Sequence, residues 1–240
     1  MDITRIYIDR EFSLGEILEL TESSSSHLFK ALRKRIGDEI ELFNGRGYSC
    51  NAVILDSLKN NQTAKVTSKP ILHKKQGTEI NVGMALIKND PFSLAVQKSA
   101  ELGVNSLTPL ITERTQVRLK NIKENKIDRW NSIARGACEQ CGENWVTGIK
   151  DPLNLLDWSN NLTSALKLVL YPKSKKKITE VSIEGPVALA IGPAGDFSEE
   201  EILTLEERGF VPVSMGHRIL RAETALISAL SCIRTMTEEF

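Results

Sequence analysis

The chain of 240 residues contains no uninterrupted apolar run of about 18 residues, so no helical membrane span is expected. Its opening MDITRIYIDREF has no apolar stretch of the kind a secretory signal needs. The cysteines are Cys50, Cys138, Cys141 and Cys232, too few and too scattered for a disulfide framework. Both features suit a reducing, cytoplasmic compartment. Cys138-x-x-Cys141 has no second pair and no adjacent histidine, so no metal site is expected. Neither a GxGxxG string nor a lysine-bearing phosphate loop is present, which argues against dinucleotides and nucleoside triphosphates. There is no charge excess either: 31 basic and 31 acidic side chains cancel. That balance argues against a protein that simply coats nucleic acid.

What is present divides at a polar stretch near residues 69–78, which holds Pro70 and Gly77. Residues 1–72 read as a small β-rich domain. Strands are expected at 5–8, 40–43 and 48–55, with Asn44-Gly45 marking the tight turn between the last two. A short helix capped by Ser25 or Ser26 would present Leu28, Ala31 and Leu32 on one face and stop at Gly37-Asp38. Residues 73–240 alternate strand and helix, which predicts α/β architecture. Strands are expected at 79–87, 104–111, 166–171, 187–191 and 211–214. The short apolar runs at 166–171 and 187–191 suit strands covered on both faces of a parallel sheet. Helices are expected at 91–102, capped by Asp90, and at 125–141. In the second of these, Ile127, Trp130, Ile133, Ala134, Ala137, Cys138 and Cys141 repeat at helical spacing, so the cysteine pair reads as apolar packing.

The densest information lies between Leu189 and Leu230. One strand runs into Gly192-Pro193-Ala194-Gly195, and Ser198 with Glu201 forms a capping box for the next helix. A second strand runs into Met215-Gly216, and another helix starts near Ala222. Ligands of open α/β sheets sit beyond the carboxyl ends of strands. Glycines there let the backbone approach a ligand closely. Arg218 and Arg221 stand beside the second loop, where two cations oppose the dipole of the following helix. Their chemistry suits gripping phosphate or stabilising an anion.

These motifs in this order resemble the bacterial 16S ribosomal RNA uridine-N3 methyltransferase family, within the knotted SPOUT superfamily. The resemblance runs over almost the whole chain. It is carried by His27-Leu28, Ala31-Leu32-Arg33, Leu42-Phe43-Asn44-Gly45, the segment from Gln97 to Val104, Glu113-Arg114, Trp130 and Ala137 to Cys141. It continues through Ile191-Gly192-Pro193, Gly195 and Phe197-Ser198. The most specific string is Gly216 with Arg218-Ile219-Leu220-Arg221-Ala222-Glu223-Thr224-Ala225. The resemblance implies a deep C-terminal trefoil knot, a PUA-like RNA-binding domain at the N-terminus, and a homodimer formed through the knotted domains. It implies S-adenosylmethionine as cofactor, held by Leu170 and Tyr171, by Ile191, Gly192, Pro193 and Gly195, and by Met215, Gly216, Ile219, Leu220 and Thr224. The substrate it implies is one uridine in the RNA of the small ribosomal subunit.

Departures from the family pattern fall at four places. Ala194 stands where glutamate is usual, Asp196 where glycine is, Glu143 where arginine is and Thr147 where proline is. Two other readings stay open beside the main one: an enzyme of the same superfamily acting on another RNA such as transfer RNA, and an assembly factor that binds the ribosome with impaired catalysis. On the main reading Arg221 or Arg218 would stabilise the anion left when uracil N3 loses its proton. Lys30, Arg33, Lys34 and Arg35, with Arg5 and Arg114, would grip the RNA backbone.

Overall fold

The computed structural model describes residues 3–26, 28–29, 32–55, 62–87, 89–115 and 124–240. It divides into two compact units, Met1–Lys75 with Cys138–Val146, and Gln76–Ala137 with Thr147–Phe240. The expected boundary between residues 72 and 73 lies three residues from the first division. The grouping of 138–146 with the first unit has no counterpart in the sequence reading.

The first unit is built on strands β1 (Thr4–Tyr7), β2 (Ile17–Glu19), β3 (Glu39–Phe43), β4 (Tyr48–Ile54), β5 (Thr63–Val66) and β6 (Ile71–Leu72). They form one sheet in the order β1-β3-β4-β5-β2, with β6 on β4. Among the described residues only the β1–β3 pair in it is parallel. Alternation sends Ile40, Leu42, Cys50, Ala52 and Ile54 into a core closed by Ile6, Leu18 and Leu28. The turn between β3 and β4 takes Gly45 to φ +72° and Gly47 to φ +90°, as its Asn-Gly signal requires. Helix α1 (Glu22–Ser26) lies ahead of the expected helix, part of which, with Ala31, lies outside the described residues. Thr21 Oγ1 accepts the Ser24 N–H at 3.1 Å, so threonine and not serine caps it. Strands β2, β5 and β6 had no expectation. Each is two to four residues long, too short to show a period.

The second unit holds a parallel sheet of β7 (Ile80–Ala85), β8 (Ser106–Ile111), β9 (Gly148–Ile149), β10 (Leu153–Asn154), β11 (Leu166–Leu170), β12 (Val187–Ile191) and β13 (Phe210–Val213). The order is β10-β8-β7-β12-β11-β13, with β9 on β8. Every residue of β12 is buried, as a central strand covered on both faces must be. The helices are α2 (Asn89–Glu101), α3 (Glu124–Cys141, whose last four residues group with the first unit), α4 (Leu155–Asn160), α5 (Glu199–Glu207) and α6 (Ala222–Met236). Helices α4 and α5 supply Leu155, Trp158, Ile202 and Leu205 to a core with Leu110, Val169, Ala190 and Phe210 of the sheet. Helix α6 packs against α2 and β12. Trp130 of α3 is 2% exposed, and its ring centroid lies 4.5 Å from that of Phe92, a packing role. Helix α2 begins at Asn89, so Pro91 falls inside the first turn, where its missing N–H costs nothing.

Candidate active site

The adjacency of β12, β11 and β13 decides where the site can be. Their parallel register brings the carboxyl ends at Ile191, Leu170 and Val213 to one rim. Two hollows open there, with Tyr171 common to both. The smaller is an apolar recess of about 40 Å3 lined by Leu170, Pro172, Val213, Met215, Gly216, Arg218, Leu220 and Ala225. Gly216 holds φ at +100°, a backbone conformation that side chains rarely adopt. The larger is a polar cleft of about 470 Å3 lined by Glu113, Arg114, Lys173, Gly195, Asp196, Phe197, Ser198, Glu199 and Glu200.

The cleft is braced by charge. Arg114 Nη1 donates to Gly195 O at 2.7 Å and Phe197 O at 3.4 Å, fixing the loop after β12. Lys173 Nζ meets Glu199 Oε1 at 2.8 Å. That hydrogen bond raises the pKa of Lys173 and lowers that of Glu199. Ser198 caps α5 and forms the expected capping box with Glu201. Glu201 reaches further, accepting the Glu113 N–H at 2.8 Å. Asp196 has φ +61°, and its Oδ1 accepts the Phe197 N–H at 2.8 Å. Burial pushes its carboxyl above the usual carboxylate range, against the downward pull of that hydrogen bond and of Arg114 and Lys173.

Of the expected cofactor residues, Leu170, Tyr171, Met215, Gly216 and Leu220 come together in the recess, joined by Arg218. Gly195 lines the cleft. Ile191, Gly192 and Pro193 are buried at the end of β12. A Cβ on Gly192 would stand 3.1 Å from Phe197 N, so this glycine serves the tight return of the loop. Ile219 is 88% exposed and Thr224 is exposed, and neither lines the recess. Pro172, Val213 and Ala225 were missed; Pro172 and Ala225 each adjoin a named residue, and Val213 lies two residues before Met215. Arg221 occupies the N-cap position of α6 with its side chain exposed.

The expected RNA grip is dispersed. Arg5 is turned inward and corrects that expectation. Its Nη2 donates to Glu143 O at 3.1 Å and Asn144 Oδ1 at 2.7 Å. Its Nη1 meets Glu41 at 2.8 Å, and its guanidinium lies 4.7 Å from the Phe43 ring centroid. Lys30 lies outside the described residues. Arg33 and Arg35 are exposed and Lys34 is half-buried. Arg114 belongs to the cleft of the second unit, as above.

Residues 74–234 match the family model of the RNA methyltransferase domain, and residues 20–66 match the RNA methyltransferase PUA domain. The ribosomal RNA small subunit methyltransferase E of Buchnera aphidicola (from Acyrthosiphon pisum) is 33% identical over 243 residues, covering 99% of this chain and 95% of that protein. The chain belongs to the ribosomal RNA small subunit methyltransferase E family. Among solved structures, a methyltransferase of Legionella pneumophila in complex with bound cofactor SAM superposes with TM-score 0.91 at 36% identity, covering 98% of both chains. The family's Neisseria gonorrhoeae protein, bound to S-adenosyl methionine, superposes with TM-score 0.88 at 27% identity over 98% of both chains.

The departures from the family pattern now have surroundings. Asp196 carries a left-handed backbone that its usual glycine adopts freely. Glu143 Oε1 accepts the N–H groups of Asn144 at 2.7 Å and Trp145 at 2.9 Å, closing the turn after α3. Thr147 Oγ1 donates to Val104 O at 2.7 Å. Ala194 is exposed. The cysteine pair of α3 behaves as half expected: Cys138 is buried, but Cys141 is exposed. Among the described residues no cluster of potential metal ligands occurs.

Proposed function

We propose that this protein transfers a methyl group from S-adenosylmethionine to N3 of a uridine in 16S ribosomal RNA of the small subunit. The observation that carries the reading is the shared rim of β11 and β13, where an apolar recess meets a polar cleft at Tyr171. The residues present fit the donor chemically. Apolar side chains from Leu170, Val213 and Leu220 suit a purine face. Arg114 and Lys173 suit a carboxylate, while Asp196 and Glu200 suit an amino group or a sulfonium. When bound, the donor supplies an electrophilic methyl group.

The chain's own task is to bring the nucleophile into line and make it nucleophilic. Uracil N3 is useful only after its proton passes to water or a nearby basic group, and the resulting negative charge spreads to O2 and O4. Arg218 and Arg221 stabilise that anion. Among the described residues neither guanidinium has a partner within the chain, so both are available. The N-terminal unit serves as the PUA-like RNA-binding module, and Arg33, Lys34 and Arg35 contribute charge.

A trefoil knot in the second unit belongs to this reading. What supports it is the course of the chain: β13 lies outside β11 while β12 lies inside, and Ser214 bridges in parallel to Lys177 of the loop between β11 and β12. The active form is a homodimer paired through these knotted domains, working in the cytoplasm on the assembled small subunit. Light scattering of the purified protein tests the dimer. Mass spectrometry of ribosomal RNA from a strain without the protein tests the substrate. Loss of one N3-methyluridine is expected, and an unchanged nucleoside profile would refute the assignment.

A further inference from the structure

Resting on the methyltransferase reading, we infer that Lys175, Lys176 and Lys177 form, beside Arg218 and Arg221, a docking surface for the phosphates of single-stranded RNA that flanks the target base. The two basic segments are far apart in sequence but are stitched together by backbone. Ser214 N donates to Lys176 O at 2.8 Å, and Ile178 N donates to Ser214 O at 3.1 Å. Ser174 Oγ adds a bond to Pro212 O at 2.8 Å. The lysine loop is therefore fixed to the end of β13, two residues before Gly216. Pro172 at its start and Arg218 line the same recess.

The side chains of Lys175, Lys176 and Lys177 are exposed, and among the described residues none is paired. Lys173 differs, being held by Glu199. The Glu180 carboxylate accepts the Lys177 backbone N–H at 2.8 Å and, among the described residues, forms no ion pair with these lysines. In a chain of zero formal charge this local excess of cations attracts a polyanion, and its place on the rim of the donor recess favours the strand that delivers the base. Fixed backbone with free cationic tips grips phosphates without reading sequence.

The test compares wild type with the Lys175→Gln/Lys176→Gln/Lys177→Gln variant. Binding of a fluorescein-labelled single-stranded RNA dodecamer is followed by anisotropy as salt is varied. Each phosphate contact contributes about 0.7 to the slope of log affinity against log salt, so the triple variant should lose roughly 2. KM for the small subunit should rise at least ~10-fold at moderate salt, with kcat at saturating subunit held. Calorimetric uptake of S-adenosylmethionine should match wild type, and lysine-to-arginine replacements should restore binding. Should the triple variant melt early, the single variants each carry about a third of the slope change. An unaltered slope and KM in folded, active protein overturns this surface alone. Wild-type protein that takes up no RNA at low salt overturns this surface, and only if it also takes up no S-adenosylmethionine does the methyltransferase reading fall with it.

Discussion

Asp196 combines a left-handed backbone with a half-buried carboxylate, and both act against folding. Replacing it with glycine removes the backbone penalty, offset in part by glycine's greater unfolded-state freedom. The Asp196→Gly protein should therefore gain from a few tenths to about 1 kcal/mol in urea titrations. Its folded pKa lies above the unfolded one. The stability linked to it is thus full below the ordinary carboxyl range and is lost as pH rises through the folded value. Glu239 runs the other way. Burial alone would raise its carboxyl, but the Thr78 N–H, the Thr237 hydroxyl and Arg234 together hold it below the usual range. Its contribution is present above the unfolded pKa and lost as pH falls through the folded one. Glu239→Gln should flatten acid unfolding in that window, read by circular dichroism across pH. At the proposed catalytic end, Arg221→Ala should cut kcat by about 100-fold while melting temperature and donor uptake hold. Unchanged single-turnover rates would reject its role.

Elements with a strong period were legible in the sequence. Strand β12 matches its expected bounds, and the capping box at Ser198 sits where the spacing put it. Helix α3 matches within one residue because seven apolar positions share its face. Helix α1 went unread because its residues are all polar and give it no apolar period, while the run of four serines offers several caps. At the site, the loops were legible through their glycines. Which side chains turn inward was not, since Ile219 and Leu220 look alike in sequence yet only Leu220 lines the recess. One glycine shows how tightly the central elements meet. A Cβ on Gly83 of β7 would stand 2.6 Å from the Trp158 ring and 2.8 Å from Leu110 Cδ1. Gly83→Ala should cost roughly 1–3 kcal/mol by overpacking, measured as a lowered urea midpoint with unchanged slope.

At the scale of the whole molecule, the grouping of 138–146 with the N-terminal unit could not be read, because it rests on distant partners such as Arg5 and His73. Binding of the proposed donor should stabilise the second unit as mass action requires. At a concentration about 100 times Kd the gain is about 2.7 kcal/mol, a rise of roughly 5–10 °C in melting temperature. A thermal scan without that shift, at donor levels that saturate calorimetry, would contradict the proposed site. The order of the parallel sheet also bears on how the protein is made. Strand β7 pairs with β8 soon after both are synthesised, but its other neighbour, β12, pairs Val187 with Ile80 across more than a hundred residues. Until that strand emerges from the ribosome, the nascent sheet carries an open apolar edge at its centre, the state in which chains are most prone to associate wrongly. Release from synthesis should therefore be followed by a slow, chaperone-sensitive closing step, with the middle of the sheet completed after its flank.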